Sequence, residues 1–88
     1  MKVLVVEDNA TARFVLKATL EALGHEVTLT ENGRAGLDAW NNGDFRVVVS
    51  DWMMPETDGL ALCRAIRATT RDYYTSFILL TALGGKQN

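Results

Sequence analysis

The chain has 88 residues, enough for one domain and too few for two. Its 48% apolar residues can supply a modest core, and 9 Lys and Arg against 11 Asp and Glu give a net charge of -2 without a basic run, which argues against a nucleic-acid surface in this segment. No apolar stretch has membrane-spanning length and the chain opens on a strand pattern without a signal sequence, so we expect a cytoplasmic protein.

Short apolar runs alternate with helical patterns along the chain. The predicted order is strand 2–6, helix 11–23, strand 27–30, a short helix from about 35 to 40, strand 46–50, helix 58–68 and strand 76–80. Strands that alternate with helices favour a parallel sheet with right-handed crossovers, which is an α/β fold.

Helical spacing predicts which side chains face the sheet. In the first helix the apolar stripe consists of Ala12, Val15, Leu16, Thr19, Leu20 and Leu23. In the last helix the inward positions are Leu60, Cys63, Ile66 and the stem of Arg67, with Asp58 as the cap. Trp40 is expected to pack against the sheet, and Cys63 is interpreted as a small core residue and not as a nucleophile.

A glycine separates the first helix from the second strand. Gly24 is expected to end the helix, because glycine adopts the left-handed conformation at a helix end without cost. His25 follows as an exposed connector, since no Cys or second His accompanies it as a metal ligand.

Three of the apolar runs end in residues that can handle a metal or a phosphate. The first run leads into Glu7 and Asp8, the third into Asp51 and the fourth into Thr81. Parallel strands bring these ends to one edge of the sheet, where α/β folds bind ligands. Carboxylates ~4 Å apart repel by about 4 kcal/mol per pair at an effective dielectric of ~20, and Mg²⁺ can offset that repulsion.

Asp51 fits the role of a phosphoryl acceptor best among these residues. It follows a strand expected to be central, and an aspartate can attack a phosphoryl donor to form an acyl phosphate. The loop that follows it, residues 52–55, can offer a carbonyl to the metal, and the Thr81 hydroxyl can bond a phosphate oxygen. Taken singly, each residue is equally typical of a strand end or a cap.

The sequence resembles the receiver domains of two-component response regulators. The matching segments are Val3 to Asp8, Val49 to Gly59 with its Met-Pro and Asp-Gly pairs, and Leu79 to Ala82, so the resemblance spans residues 1–88 as one domain. It implies a flavodoxin-like fold with strand order 2-1-3-4-5. It also implies a phosphorylation cycle in which a histidine kinase or a phosphotransfer protein is the donor.

The resemblance implies a role for each matching position. Asp51 is then the phosphoacceptor, Asp8 a direct Mg²⁺ ligand, Glu7 a ligand acting largely through water, and Met53 the donor of a backbone carbonyl to the metal. Thr81 is then the switch hydroxyl that moves toward the phosphate and signals its arrival to a distant surface, for an output domain to read.

The resemblance also implies a helix, a fifth strand ending in Lys-Pro, and a last helix beyond the fourth strand. These 88 residues do not contain that pattern, and Lys86 lies in a loop without the strand or the proline, so no phosphate-binding lysine is assigned. We therefore expect an incomplete receiver of marginal stability, prone to self-association or swapping through its open edge and uncovered face.

Two alternatives remain at the level of sequence. One is an interaction module that works without phosphorylation, which the unassigned lysine favours. The other is a Mg²⁺-dependent phosphatase with an aspartyl nucleophile, and Met53 argues against it because dehalogenase-like phosphatases have an acid two residues after the nucleophile.

Overall fold

A computed structural model of the chain describes residues 1–51, 59–69 and 75–80. Within them the elements are β1 (Lys2–Val6), α1 (Ala10–Ala22), β2 (Glu26–Thr30), α2 (Gly33–Asn42), β3 (Val47–Asp51), α3 (Gly59–Arg67) and β4 (Ser76–Leu80). The predicted order is confirmed; β1 and β4 have their predicted bounds, β2 begins one residue earlier, and β3 lies one residue later. Among the described helices, none is both long and apolar enough to cross a membrane.

The four strands form one parallel sheet in the order β2-β1-β3-β4. Val5 of β1 lies in register with Leu29 of β2 on one side and with Val49 of β3 on the other. The chain moves outward from β1 to β2 and then crosses back to β3, so right-handed connections place α1 and α2 on opposite faces. The strand order reverses between β1 and β3, and open α/β sheets bind their ligands at the carboxyl ends of the strands at such a point.

The sheet face covered by α2 and α3 is tightly packed. Its buried cluster consists of Leu4, Val6, Trp40, Phe45, Val48, Leu62 and Ile66. Trp40 is fully buried, as predicted, and its indole N–H donates to the Thr69 hydroxyl at 3.0 Å. Gly36 permits α2 to lie close to β1, because a Cβ there would lie 2.6 Å from a methyl carbon of Val6.

The α1 face is less completely covered. Its buried residues Val3, Val5 and Val49 are packed by half-buried side chains that include Leu16 and Leu20 of α1.

The prediction of a six-residue inward stripe on α1 was therefore too wide. Val15 is 54% exposed and Leu23 68% exposed, and Thr19 is exposed as well. The row formed by residues 12, 16 and 20 turns toward β1 and β2, which leaves the adjacent row at 15, 19 and 23 on the flank of the helix.

The inward face of α3 also differs from the prediction. Leu62 and Ile66, four residues apart, are buried, whereas Leu60 is 39% exposed because it lies about 200° around the helix from Leu62. Cys63 is a free, half-buried thiol. Arg67 is exposed, and its guanidinium donates to the Thr75 carbonyl at 2.7 Å. The predicted cap, Asp58, lies outside the described residues.

The connection between α1 and β2 has the predicted glycine. Gly24 adopts a φ of 92°, the left-handed conformation that ends the helix. His25 is half-buried and not exposed as predicted, and its Nδ1 is buried without a hydrogen-bond partner. The strand β2 begins immediately after it, which draws the imidazole toward the sheet.

Candidate functional site

Three carboxylates meet at the carboxyl ends of β1 and β3. Glu7 and Asp8 directly follow β1, and Asp51 is the last residue of β3. One carboxylate oxygen from each residue lies within 4.8 Å of the others. Glu7 and Asp51 are 4% and 2% exposed, while Asp8 is exposed, so the cluster is closed on the protein side and open toward solvent. The predicted convergence of these three residues is confirmed.

Glu7 is held through its backbone and through its side chain. Its N–H donates to the Thr30 carbonyl at 3.0 Å, which continues the β1–β2 pairing past the end of β1. Its carboxylate accepts a hydrogen bond from the Asn9 N–H at 3.0 Å, and its carbonyl accepts one from Arg13 Nη1 at 2.9 Å. The acidic loop is therefore anchored to both β2 and α1.

Asn9 connects the acidic loop to the start of α1. It has extended backbone angles, and its side-chain oxygen accepts from the Ala12 N–H at 2.8 Å, which is the geometry of a helix N-cap. The sequence carried a signal for this role, since an asparagine lies two residues before the predicted start of the helix. The Arg13 contact had no comparable signal, because it spans six residues and depends on the direction in which α1 leaves the loop.

Asp51 is fixed by its position in a central strand. β3 pairs with β1 on one side and with β4 on the other, and Asp51 lies in register with Leu80. The preceding Ser50 is fully buried, and its hydroxyl donates to the Asp51 carbonyl at 3.0 Å. Met53, Asp58 and Thr81, which have predicted roles, lie outside the described residues, as do Pro55 and Lys86.

The donor set of this cluster fits a hard divalent cation. Mg²⁺ prefers oxygen ligands and is commonly held by one or two carboxylates, with water and phosphate oxygens completing its coordination. Glu7, Asp8 and Asp51 supply only carboxylate oxygens, and the exposed side of the cluster leaves space for water or a phosphoryl group. The site can therefore hold Mg²⁺ next to a carboxylate able to accept a phosphoryl group.

Comparison of the sequence with known proteins gives matches over nearly the whole chain. The family model described as the response regulator receiver domain matches residues 3–88. The chain is 41% identical over 90 residues to chemotaxis protein CheY1 of Helicobacter pylori, an alignment that covers 98% of this chain and 71% of CheY1. It is 42% identical over 80 residues to YkoG of Bacillus subtilis, an uncharacterized transcriptional regulatory protein, covering 91% of this chain and 34% of YkoG.

Solved structures match the fold equally well. The receiver domain of a response regulator from Methylobacillus flagellatus superposes with a TM-score of 0.87 at 30% identity, covering 92% of this chain and 69% of that one. The response regulator TrrA of Thermotoga maritima, solved in complex with Mg²⁺-BeF, gives a TM-score of 0.86 at 35% identity, covering 94% of this chain and 70% of TrrA.

Proposed function

Because this chain belongs to the response regulator receiver domain family, we propose that it is a signalling module whose Asp51 accepts a phosphoryl group from a phosphohistidine. The donor is a sensor histidine kinase or a phosphotransfer protein, and the module works in the cytoplasm. The observation that carries the proposal is the convergence of Glu7, Asp8 and Asp51 within 4.8 Å at the reversal point of a parallel sheet.

Each residue of the site has a distinct task in the proposal. Asp8, which is exposed, ligates Mg²⁺ directly; the buried Glu7 acts on it largely through water, and the Met53 carbonyl adds a further ligand. When bound there, Mg²⁺ offsets the repulsion between the carboxylates and neutralises charge on the phosphoryl oxygens. Asp51 would attack the incoming phosphorus from a backbone position that the pairing of β3 on both sides fixes.

The transfer balances without a further reactant. An Asp51 carboxylate oxygen attacks phosphorus and a P–O bond forms, while the P–N bond breaks with its electron pair going to the donor nitrogen. The proton on the other ring nitrogen of the phosphohistidine makes the released histidine neutral. Water later attacks the phosphorus of the acyl phosphate, releasing inorganic phosphate and restoring the carboxylate. The chain acts as a switch in this cycle and not as an enzyme with a separate substrate.

Thr81 is the proposed reporter of phosphorylation. It directly follows β4, whose last residue, Leu80, lies in register with Asp51. Its hydroxyl would donate to a phosphate oxygen and draw the following loop toward the site, changing a surface that an output domain or partner reads. Family membership favours such a module over the aspartyl phosphatase alternative.

Phosphorylation by a small donor tests the proposal. The chain is incubated with Mg²⁺ and either acetyl phosphate or phosphoramidate, whose P–N bond resembles phosphohistidine, and its intact mass is measured. We expect the wild type and Asp38→Asn to gain one phosphoryl group when Mg²⁺ is present. We expect no gain when EDTA is present from the start, and none in Asp51→Asn. Asp38 is the matched control because it is an exposed aspartate of α2, away from the site.

The outcome also decides between this function and a phosphorylation-independent interaction module. A folded chain that gains no phosphoryl group, or gains one equally in Asp51→Asn, would contradict the phosphoacceptor role and leave the interaction module.

A further inference from the structure

Arg13 contacts the acidic loop from the first turns of α1. Its Nη1 donates to the backbone carbonyl of Glu7 at 2.9 Å, six residues earlier in the chain. The guanidinium is a charged donor, and a hydrogen bond from a charged donor is stronger than one between neutral groups. Arg13 is half-buried, so solvent competes only partly for this bond.

The Arg13 contact adds a third hydrogen bond to Glu7. The Glu7 N–H is bound to β2 through Thr30, and the Glu7 carboxylate is bound to the N–H of Asn9. Without Arg13 the Glu7 carbonyl would lose its hydrogen bond to α1, and a rotation of that peptide would move the Asn9 N–H away from the carboxylate. The carbonyl contact therefore controls where the Glu7 carboxylate lies relative to Asp8 and Asp51.

We propose that Arg13 is a positioning residue for the metal site, acting through the Glu7 carbonyl and not by touching the metal. The inference rests on the proposed function in one respect, since it takes the acidic cluster to be a Mg²⁺ site. Residues that orient metal ligands without binding the metal commonly change metal affinity by about 10–100-fold when they are replaced.

The two effects of Arg13 on a cation have opposite signs. As a positive charge near the acidic loop it repels Mg²⁺, so on electrostatic grounds its removal should tighten binding. As a positioning residue it favours the arrangement of carboxylates that binds Mg²⁺, so its removal should weaken binding. The direction of change therefore separates the positioning role from a simple contribution to net charge.

The test measures Mg²⁺ dissociation constants by calorimetric titration of the 88-residue chain and its variants. Arg13→Met, which keeps length and removes the donor and the charge, is expected to raise the Mg²⁺ Kd about tenfold. The matched control is Lys17→Met, which removes a cation one turn further along α1, where Lys17 forms an ion pair with Glu21 at 3.0 Å; its Kd should change less than about twofold.

A metal-free measurement gives a second readout. Amide hydrogen exchange in EDTA should be faster at Asn9 in Arg13→Met than in the wild type, and unchanged in Lys17→Met, because only the first substitution releases the Glu7 peptide. If Arg13→Met does not fold, Arg13→Lys is compared with Lys17→Arg. Arg13→Lys keeps the charge without the planar donor geometry, and its Kd should rise about threefold.

An Arg13 variant that folds and binds Mg²⁺ as tightly as the wild type, or more tightly, would overturn the positioning role. A wild-type chain that binds no Mg²⁺ would overturn both this inference and the metal site of the proposed function. Mg²⁺ binding that depends on Arg13 in a chain that gains no phosphoryl group would support the inference and contradict only the phosphoacceptor role.

Discussion

The two faces of the sheet are packed to different degrees, although they share the same central strands. On the α2 and α3 face, the cluster that includes Leu4, Val48 and Leu62 is almost completely removed from solvent. On the α1 face, the strand residues are buried, but no residue of α1 itself is. The first face therefore supplies the more completely buried part of the core around β1 and β3.

The site draws on both faces in different ways. The closely packed face fixes the strand ends from which Glu7 and Asp51 project, since Val6 and Val48 are fully buried there. The α1 side sets the orientation of the loop, through Asn9 and Arg13. We therefore expect core substitutions on the first face to affect the whole fold, and substitutions around the start of α1 to affect the metal site selectively.

The largest expected effect is a loss of stability at the packed face. Leu62→Ala should lower the free energy of unfolding by about 2–5 kcal/mol, because it removes a fully buried side chain and leaves a cavity against α2 and the sheet. Leu23→Ala, the same substitution at a residue that is 68% exposed, should cost less than about 0.5 kcal/mol. Urea unfolding followed by circular dichroism measures both, and equal losses would contradict the difference between the faces.

A smaller change in the free energy of unfolding, of opposite sign, is expected at the carboxyl ends of β1 and β3. Without Mg²⁺, Asp51→Asn should raise the free energy of unfolding by about 1–2 kcal/mol, because it removes one of three carboxylates that repel one another and leaves a neutral group at a buried position. Adding Mg²⁺ should stabilise the wild type more than Asp51→Asn, since a ligand stabilises the state that binds it.

Thermal or urea unfolding in EDTA and in saturating Mg²⁺ measures these two differences in stability. Asp38→Asn, at an exposed position of α2, should behave like the wild type in both conditions. A lower stability of Asp51→Asn in EDTA would mean that hydrogen bonds of this carboxylate outweigh the repulsion within the cluster.

The sequence predicted the strands and the meeting of the carboxylates because both depend on local patterns. Unbroken β-branched runs indicated buried parallel strands, and the parallel topology then required Glu7, Asp8 and Asp51 to share an edge. The motif resemblance supplied the strand order that pattern alone left open, and the observed order of the four strands agrees with it.

Helix faces were predicted less well, because burial depends on which neighbours cover each row of side chains. The periodicity of α1 is the same whether or not an element covers Val15 and Leu23, so the sequence placed both inward although both are exposed. In α3 the choice between Leu60 and Leu62 depends on the rotation of the helix over the sheet, which spacing alone does not define. The Arg13 contact depends in the same way on the exit angle of α1.

The smallest expected effect on stability, and a clear effect on association, belongs to the flank of α1. Val15 and Leu23 are large apolar side chains with more than half of their surface exposed, and exposed apolar surface promotes association. We expect the apparent mass in sedimentation equilibrium to rise with concentration, and the double variant Val15→Gln, Leu23→Gln to reduce that rise while changing the free energy of unfolding by less than about 0.5 kcal/mol per site.

A control on the same helix separates this surface from a general gain in polarity. Thr11→Gln with Ala22→Gln, at two other exposed positions of α1, adds the same side chains without removing the large apolar ones and should leave association unchanged. The two double variants keep the net charge of the wild type, so charge repulsion does not contribute to the difference. A wild-type chain that stays monomeric and unfolds cooperatively at every concentration would contradict association through Val15 and Leu23.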